Sequence, residues 1–139
     1  MKLVVHVDGG ARGNPGPAAV GVVVSTPDGE VLDEIGEVIG VATNNVAEYR
    51  ALLLGLERAR ALGANEVDVV NDSELVARQV TGDYKVKSAG LRPLHREALA
   101  ALRGFDRWSI SLVPRERNAR ADGLVNAVLD GETVGDGPD

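Results

Sequence analysis

Four acidic side chains sit where the chain changes character: Asp8 in VVHVDGGARGNPG, Glu48 in TNNVAEYRALLLGL, Asp72 in VDVVNDSELV and Asp122 in PRERNARADGLVN. A carboxylate is a hard oxygen ligand and an anion at neutral pH. Several brought together repel one another, and a cation is what lets them stay ionised. Hard oxygen sets favour Mg2+ or Mn2+, and a divalent ion polarises phosphate oxygens and activates water. The chemistry these four could do together is metal-dependent work on phosphates.

Taken singly, each acid also has a structural reading. Asp8 closes an apolar strand on which it shares a face with Val4 and His6, and it could cap the turn that follows. Asn45 and Glu48 have capping-box spacing. At ~100° per residue, Glu48 lies at the shoulder of the Tyr49, Leu52, Leu53 and Leu56 stripe, where it could also meet a sheet edge. Asp72 could be an N-cap, a role Ser73 fills equally well. Asp122 falls in a first helical turn, where the helix dipole favours an anion. Only their joint placement points to a site.

The elements that must position them follow from apolar period and turn residues. KLVVHVD (2–8) reads as a strand, GGARGNPGP as a loop, and 18–26 and 30–39 as strands joined at Pro27-Asp28-Gly29. Residues 45–62 read as a helix stopped by Gly63. A strand at 66–71 leads into a short helix from Ser73 to about Val80. The polar connector TGDYKVKSAG precedes a helix at 91–103, a strand at 108–114 and a helix at 118–129. This order predicts an α/β fold with a five-stranded mixed sheet: a three-stranded antiparallel meander plus parallel strands, flanked by helices. The domain spans 1–129, and 130–139 reads as an acidic, disordered tail.

At 139 residues and 44% apolar, the chain suits one globular domain. With no cysteine, disulfides and Cys-based zinc sites are excluded, which suits a reducing cytosol, so a cytoplasmic protein is expected; a monomer is expected as well. MKLVVHVD is too short and too soon acidic for a signal peptide. Nothing nears the ~18 apolar residues of a membrane span, so no membrane partner is expected. The net charge of −6 argues against a nucleic-acid partner only superficially. Four acids lie in the last ten residues, whereas Tyr84 to Arg120 carries nine Lys/Arg against three Asp/Glu. Phosphate binding depends on where charge sits rather than on the total.

The quoted stretches, in this order from Lys2 to about Leu129, resemble type 1 ribonuclease H. The likeness is to its compact archaeal and actinobacterial branch, which lacks a basic helical protrusion. The resemblance implies a ribonuclease H-like fold and an endoribonuclease that hydrolyses the RNA strand of RNA–DNA hybrids, leaving 5′-phosphate and 3′-hydroxyl ends. It implies Asp8, Glu48, Asp72 and Asp122 as ligands of two Mg2+ (or Mn2+) ions about 4 Å apart, one activating water and one stabilising the leaving oxygen. Many members carry a loop histidine before the last helix. Here the only histidines are His6, read as a packed strand residue, and His95, read as an exposed helix residue. Arg115, seven residues before Asp122, matches an arginine of the compact branch that could stabilise charge at the scissile phosphate. A surface ion pair with Glu116 or another acid is its other reading.

The resemblance also implies substrate contacts. Backbone groups of Gly9, Gly10, Ala11, Arg12, Gly13 and Asn14 could approach a minor groove, where the 2′-hydroxyl marks RNA. Thr43 and Asn44 fall near a DNA-strand phosphate and Asn45 near the bases, with one asparagine of the pair also a helix cap. Tyr84 could pack on a deoxyribose, with Lys85 and Lys87 meeting phosphates. A non-catalytic hybrid-binding module and another nuclease of the same fold are the competing readings, because fold alone does not choose among them.

Overall fold

The structure, a computed structural model, describes residues 1–132. Its strands are β1 (Lys2–Ala11), β2 (Gly16–Ser25), β3 (Val31–Ala42), β4 (Glu66–Asn71) and β5 (Arg107–Leu112). The helices are α1 (Asn44–Ala61), α2 (Glu74–Val80), α3 (Arg92–Arg103) and α4 (Ala119–Leu129), with a 3-10 turn at Arg115–Asn118. The sheet order is β3-β2-β1-β4-β5. β1–β2 and β2–β3 pair antiparallel, while β1–β4 and β4–β5 pair parallel. This is the expected mixed sheet, with α1 and α4 both packed on it and α3 against α1.

Alternation along β1 sets the core. Leu3, Val5 and Val7 are buried, and Gly55 of α1 sits so close that an added Cβ would lie 2.7 Å from the Val5 and Val7 methyls. The other face meets α4. There Gly21, paired with Asp8, lets the helix approach until a Cβ would lie 2.3 Å from the Ala121 carbonyl oxygen. The helix stops are as expected from Gly63, whose φ is +95°.

Most boundaries differ from the sequence reading by one to three residues: β2 begins at Gly16 rather than 18, β3 runs on to Ala42 rather than 39, and β5 ends at Leu112 rather than 114. β1 does not end at Asp8: Gly9, Gly10 and Ala11 continue the ladder opposite Val20, Ala19 and Ala18. The glycines read as a turn, yet pairing to β2 keeps them extended, and only residues 12–15 form the loop. The last helix starts one residue later than 118, after the 3-10 turn. Part of the expected tail is ordered: Gly131 N–H donates to Val128 O at 3.1 Å and Glu132 N–H to Ala127 O at 2.9 Å, closing α4 around a left-handed glycine. The remainder of that tail, 133–139, lies outside the described residues.

Candidate active site

Asp8 lies on β1 beside the split between its two neighbours, since β4 pairs with β1 only as far as His6. Asp72 follows β4 directly, so the end of β4 and the point on β1 just past its pairing with β4 present carboxylates side by side. Ligand sites gather where neighbouring connections diverge in this way. Asn71, 2% exposed, fixes that end: its Nδ2 donates to Ser111 O at 3.2 Å and its Oδ1 accepts from Ser73 N–H at 2.9 Å. Ser73 is the N-cap of α2 and accepts from Val76 N–H, which leaves Asp72 uncommitted.

Glu48 arrives from the first turns of α1. Its Oε1 accepts from Gly9 N–H at 2.7 Å. The contact requires glycine, because a Cβ at position 9 would lie 2.2 Å from the Ala47 carbonyl carbon and 2.5 Å from the Glu48 nitrogen. The cap of α1 is neither asparagine but Thr43, whose hydroxyl accepts from Val46 N–H at 3.2 Å. A threonine just ahead of Asn44-Asn45 satisfies the same orphan donors, so the expected capping box at Asn45 does not form. Asn44 instead bridges strand and loop: its Oδ1 accepts from Ala11 N–H at 2.8 Å, and its own N–H donates to Asn14 Oδ1 at 3.0 Å.

Oxygens of Asp8, Glu48 and Asp72 all lie within 4.8 Å of one another. Asp122 stands outside that group of three but lines the same cleft and contacts Asp8. Burial, then the charges of Glu48 and Asp72 and the contact with Asp122, push Asp8 up to about 9. Burial pushes Glu48 up to about 8, against the opposing pull of the Gly9 N–H and the Arg115 charge. In the metal-free protein these carboxyls are thus held as acids near neutrality, and a divalent cation is the partner that would ionise them. The donor set, all carboxylate oxygen, fits a hard ion.

Arg115 donates through Nη2 to Asp122 Oδ1 at 3.0 Å while its side chain is 72% exposed. Its ion pair is therefore with the site rather than with Glu116, and Asp122 raises its pKa further. The cleft holds about 510 Å³ and is also lined by Gly10, Ala11, Arg12 and Asn44. Arg12 is tied to Asp130 at 2.6 Å, against the C-terminal end of α4.

The other expected substrate residues are not in this cleft. Gly13 and Asn14 are exposed in the loop, Asn45 is exposed on α1, and the Thr43 hydroxyl is spent as a cap. Tyr84 and Lys85 line a separate shallow depression, while Lys87 is exposed on the same connector. Gly9 itself lines the cleft, and its N–H and its missing side chain both serve Glu48 there. His6 is half-buried as expected, and burial lowers its pKa. His95 is not an exposed helix residue. It is half-buried, with Nε2 3.0 Å from Gln79 O and its ring edge-on to Tyr49.

Two contributors escaped the sequence reading. Asn118, 1% exposed, donates through Nδ2 to Val7 O at 2.9 Å, joining the start of α4 to the residue before Asp8. Its sequence signal, an asparagine four residues ahead of an acid, reads as a cap, but its side chain makes no cap bond. Asn126, one turn after Asp122, lines the cleft and approaches Asp122 Oδ2 at 3.5 Å. Helical spacing i to i+4 is the signal that would have found it.

A mixed five-stranded sheet with carboxylates gathered where β1 and β4 part defines the structural class, and comparison with known proteins shows the family. A family model described as reverse transcriptase-like matches residues 6–128. Ribonuclease HI of Halobacterium salinarum is 48% identical over 129 residues, covering 93% of this chain and 65% of that protein. The crystal structure of RNase H1 from Halobacterium salinarum NRC-1 superposes with a TM-score of 0.92 at 46% identity, covering 94% of this chain and 99% of that one. LC11-RNase H1, crystallised in complex with an RNA/DNA hybrid, gives a TM-score of 0.88 at 42% identity, with 93% and 97% covered. The chain belongs to the type 1 ribonuclease H family. It spans just under two thirds of the Halobacterium protein and 36% of the bifunctional protein Rv2228c of Mycobacterium tuberculosis, to which it is 50% identical.

Proposed function

We propose that this protein is a metal-dependent endoribonuclease that hydrolyses the RNA strand of RNA–DNA hybrids, leaving 5′-phosphate and 3′-hydroxyl ends. The observation that carries the reading is the convergence of Asp8, Glu48 and Asp72 within 4.8 Å in a chain of this family. Those three, with Asp122, would hold two Mg2+ or Mn2+ ions. Bound there, the ions would supply an activated water and stabilise charge on the leaving oxygen.

The chain's own residues do the rest. Gly9 N–H orients Glu48, Asn71 holds the end of β4 ahead of Asp72, and Asn118 holds β1 at the residue before Asp8. Arg115 places a guanidinium at the cleft mouth, where a scissile phosphate gathers negative charge. Lys85 and Lys87 extend the positive surface along the connector, so that phosphate contacts set the register of the hybrid. It would work as a monomer in the cytosol, a reducing compartment that the absence of cysteine suits.

The test is Asp72→Asn, assayed on a labelled RNA–DNA hybrid, an RNA duplex and a DNA duplex with Mg2+ or Mn2+. Wild type should cut only the RNA of the hybrid, and the folded variant should be inactive. Full cleavage by that variant, or none by wild type with either ion, would sink the proposal.

A further inference from the structure

Away from the acidic cleft, Gln79 is a buried polar side chain at the meeting point of three elements. It is 4% exposed and lies on the inner side of α2. Its Oε1 accepts from the Tyr49 hydroxyl at 2.6 Å, its Nε2 donates to Lys85 O at 3.5 Å, and its own carbonyl faces His95 Nε2 at 3.0 Å. Tyr49 is fully buried and adjacent in sequence to Glu48. Lys85 lies in the connector between α2 and α3, which has neither helix nor strand to hold it.

Side chains hold that connector instead. The carbonyls of Lys85, Val86 and Lys87 are taken in succession by Gln79 Nε2, Arg92 Nε at 3.2 Å and Arg92 Nη2 at 3.4 Å. Tyr84 is fixed from the other side, its N–H on Arg78 O at 3.0 Å and its hydroxyl on Glu74 Oε1 at 2.7 Å. The lysine side chains at 85 and 87 remain exposed. Of these bonds the Tyr49–Gln79 one is buried, the Gln79–Lys85 contact is part-buried and the Arg92 pair is exposed; a buried hydrogen bond is directional and costly to leave unmade, so Gln79 is the fixed point of the set.

We infer that Gln79 is a positioning residue that locks the Lys85–Lys87 segment to the helix carrying Glu48, keeping the lysines in register with the acidic cleft along one bound duplex. The inference rests on the hybrid-cleavage reading. Gln79 touches no substrate and acts only through the connector. Loosening it weakens substrate binding and leaves the chemical step alone.

The experiment is a mutant cycle on the full chain. Gln79→Met keeps the volume and removes the polar links, and Tyr49→Phe removes one link with the ring intact. Each is made alone and on a Lys85→Ala/Lys87→Ala background, with melting temperature and circular dichroism recorded. On the wild-type background, KM for a hybrid should rise about three- to ten-fold, the worth of one hydrogen bond, with kcat within about two-fold. On the Lys85→Ala/Lys87→Ala background the same changes should move KM by less than about two-fold, because coupled residues are not additive. An unchanged KM in folded variants, an equal rise on both backgrounds, or a fall in kcat at constant KM would overturn the inference. A wild type that leaves the hybrid uncut counts against the proposed function alone. The same cycle is then read from dissociation constants of a fluorescent hybrid.

Discussion

The Gly9 N–H and the Glu48 carboxylate are joined by a 2.7 Å hydrogen bond at a point where strand and helix backbones are too close for any side chain between them. Gly9→Ala must therefore push α1 away from β1. The expected cost is about 1–3 kcal/mol, as for overpacking elsewhere, together with loss of hybrid cleavage. Gly10→Ala is the contrast: its new methyl would sit 3.5 Å from Val125 Cγ1, an ordinary contact. Urea unfolding of the two variants should separate them.

The acidic cluster makes stability depend on pH in a defined direction. Asp8 and Glu48 have folded pKa values of about 9 and about 8, above the ~4 of unfolded carboxyls. The folded, metal-free protein therefore holds more protons than the unfolded chain between those limits. Their contribution is fully present below about pH 4 and is lost as pH rises through 8 to 9. In EDTA, the melting temperature should fall across this window, and Asp8→Asn should flatten the decline. Mg2+ should restore most at the alkaline end, where the ionised carboxylates bind it.

Arg115 is exposed, so its removal should spare the fold. Arg115→Ala is expected to lower kcat on a hybrid on the order of 100-fold, the usual scale for losing one charge-stabilising donor, with a melting temperature near wild type. Arg115→Lys keeps the charge but not the planar fork and should recover part of the rate. A wild-type rate for the alanine variant would remove Arg115 from the mechanism.

A control lies between β3 and α1. The Asp33 carboxylate, 3% exposed, accepts from Arg58 Nε at 2.6 Å. Arg58→Ala leaves that buried charge without its guanidinium and should cost about 1–3 kcal/mol. Cleavage measured well below the lowered melting temperature should be unchanged.

The sheet and its helices were legible because valine-rich runs and glycine stops are strong local signals. β1 alternates cleanly, and Gly63 and Gly29 stand where the left-handed backbone requires them. Asp8, Glu48 and Asp72 were legible only as a set, since each local context also suits a cap. What stayed hidden was decided by partners distant in sequence. Gly9–Ala11 read as loop because their hydrogen-bond partners lie on β2. The roles of Asn118 and His95 depend on Val7 and Gln79, which spacing along one helix does not reveal. The cap at Thr43 was a closer miss, a choice among three adjacent polar residues.

Gly9 and Gly21 flank Asp8, the first admitting α1 and the second admitting α4. Main chain therefore rests on main chain on both sides of the acid, and main chain has no rotamers to exchange. The site works as a gauge block built into the backbone. Substitutions that repack the valine core can raise or lower the melting temperature while leaving the gap between carboxylates as it was. Thermal stability and carboxylate spacing in this protein can thus be altered independently, except at these two glycines.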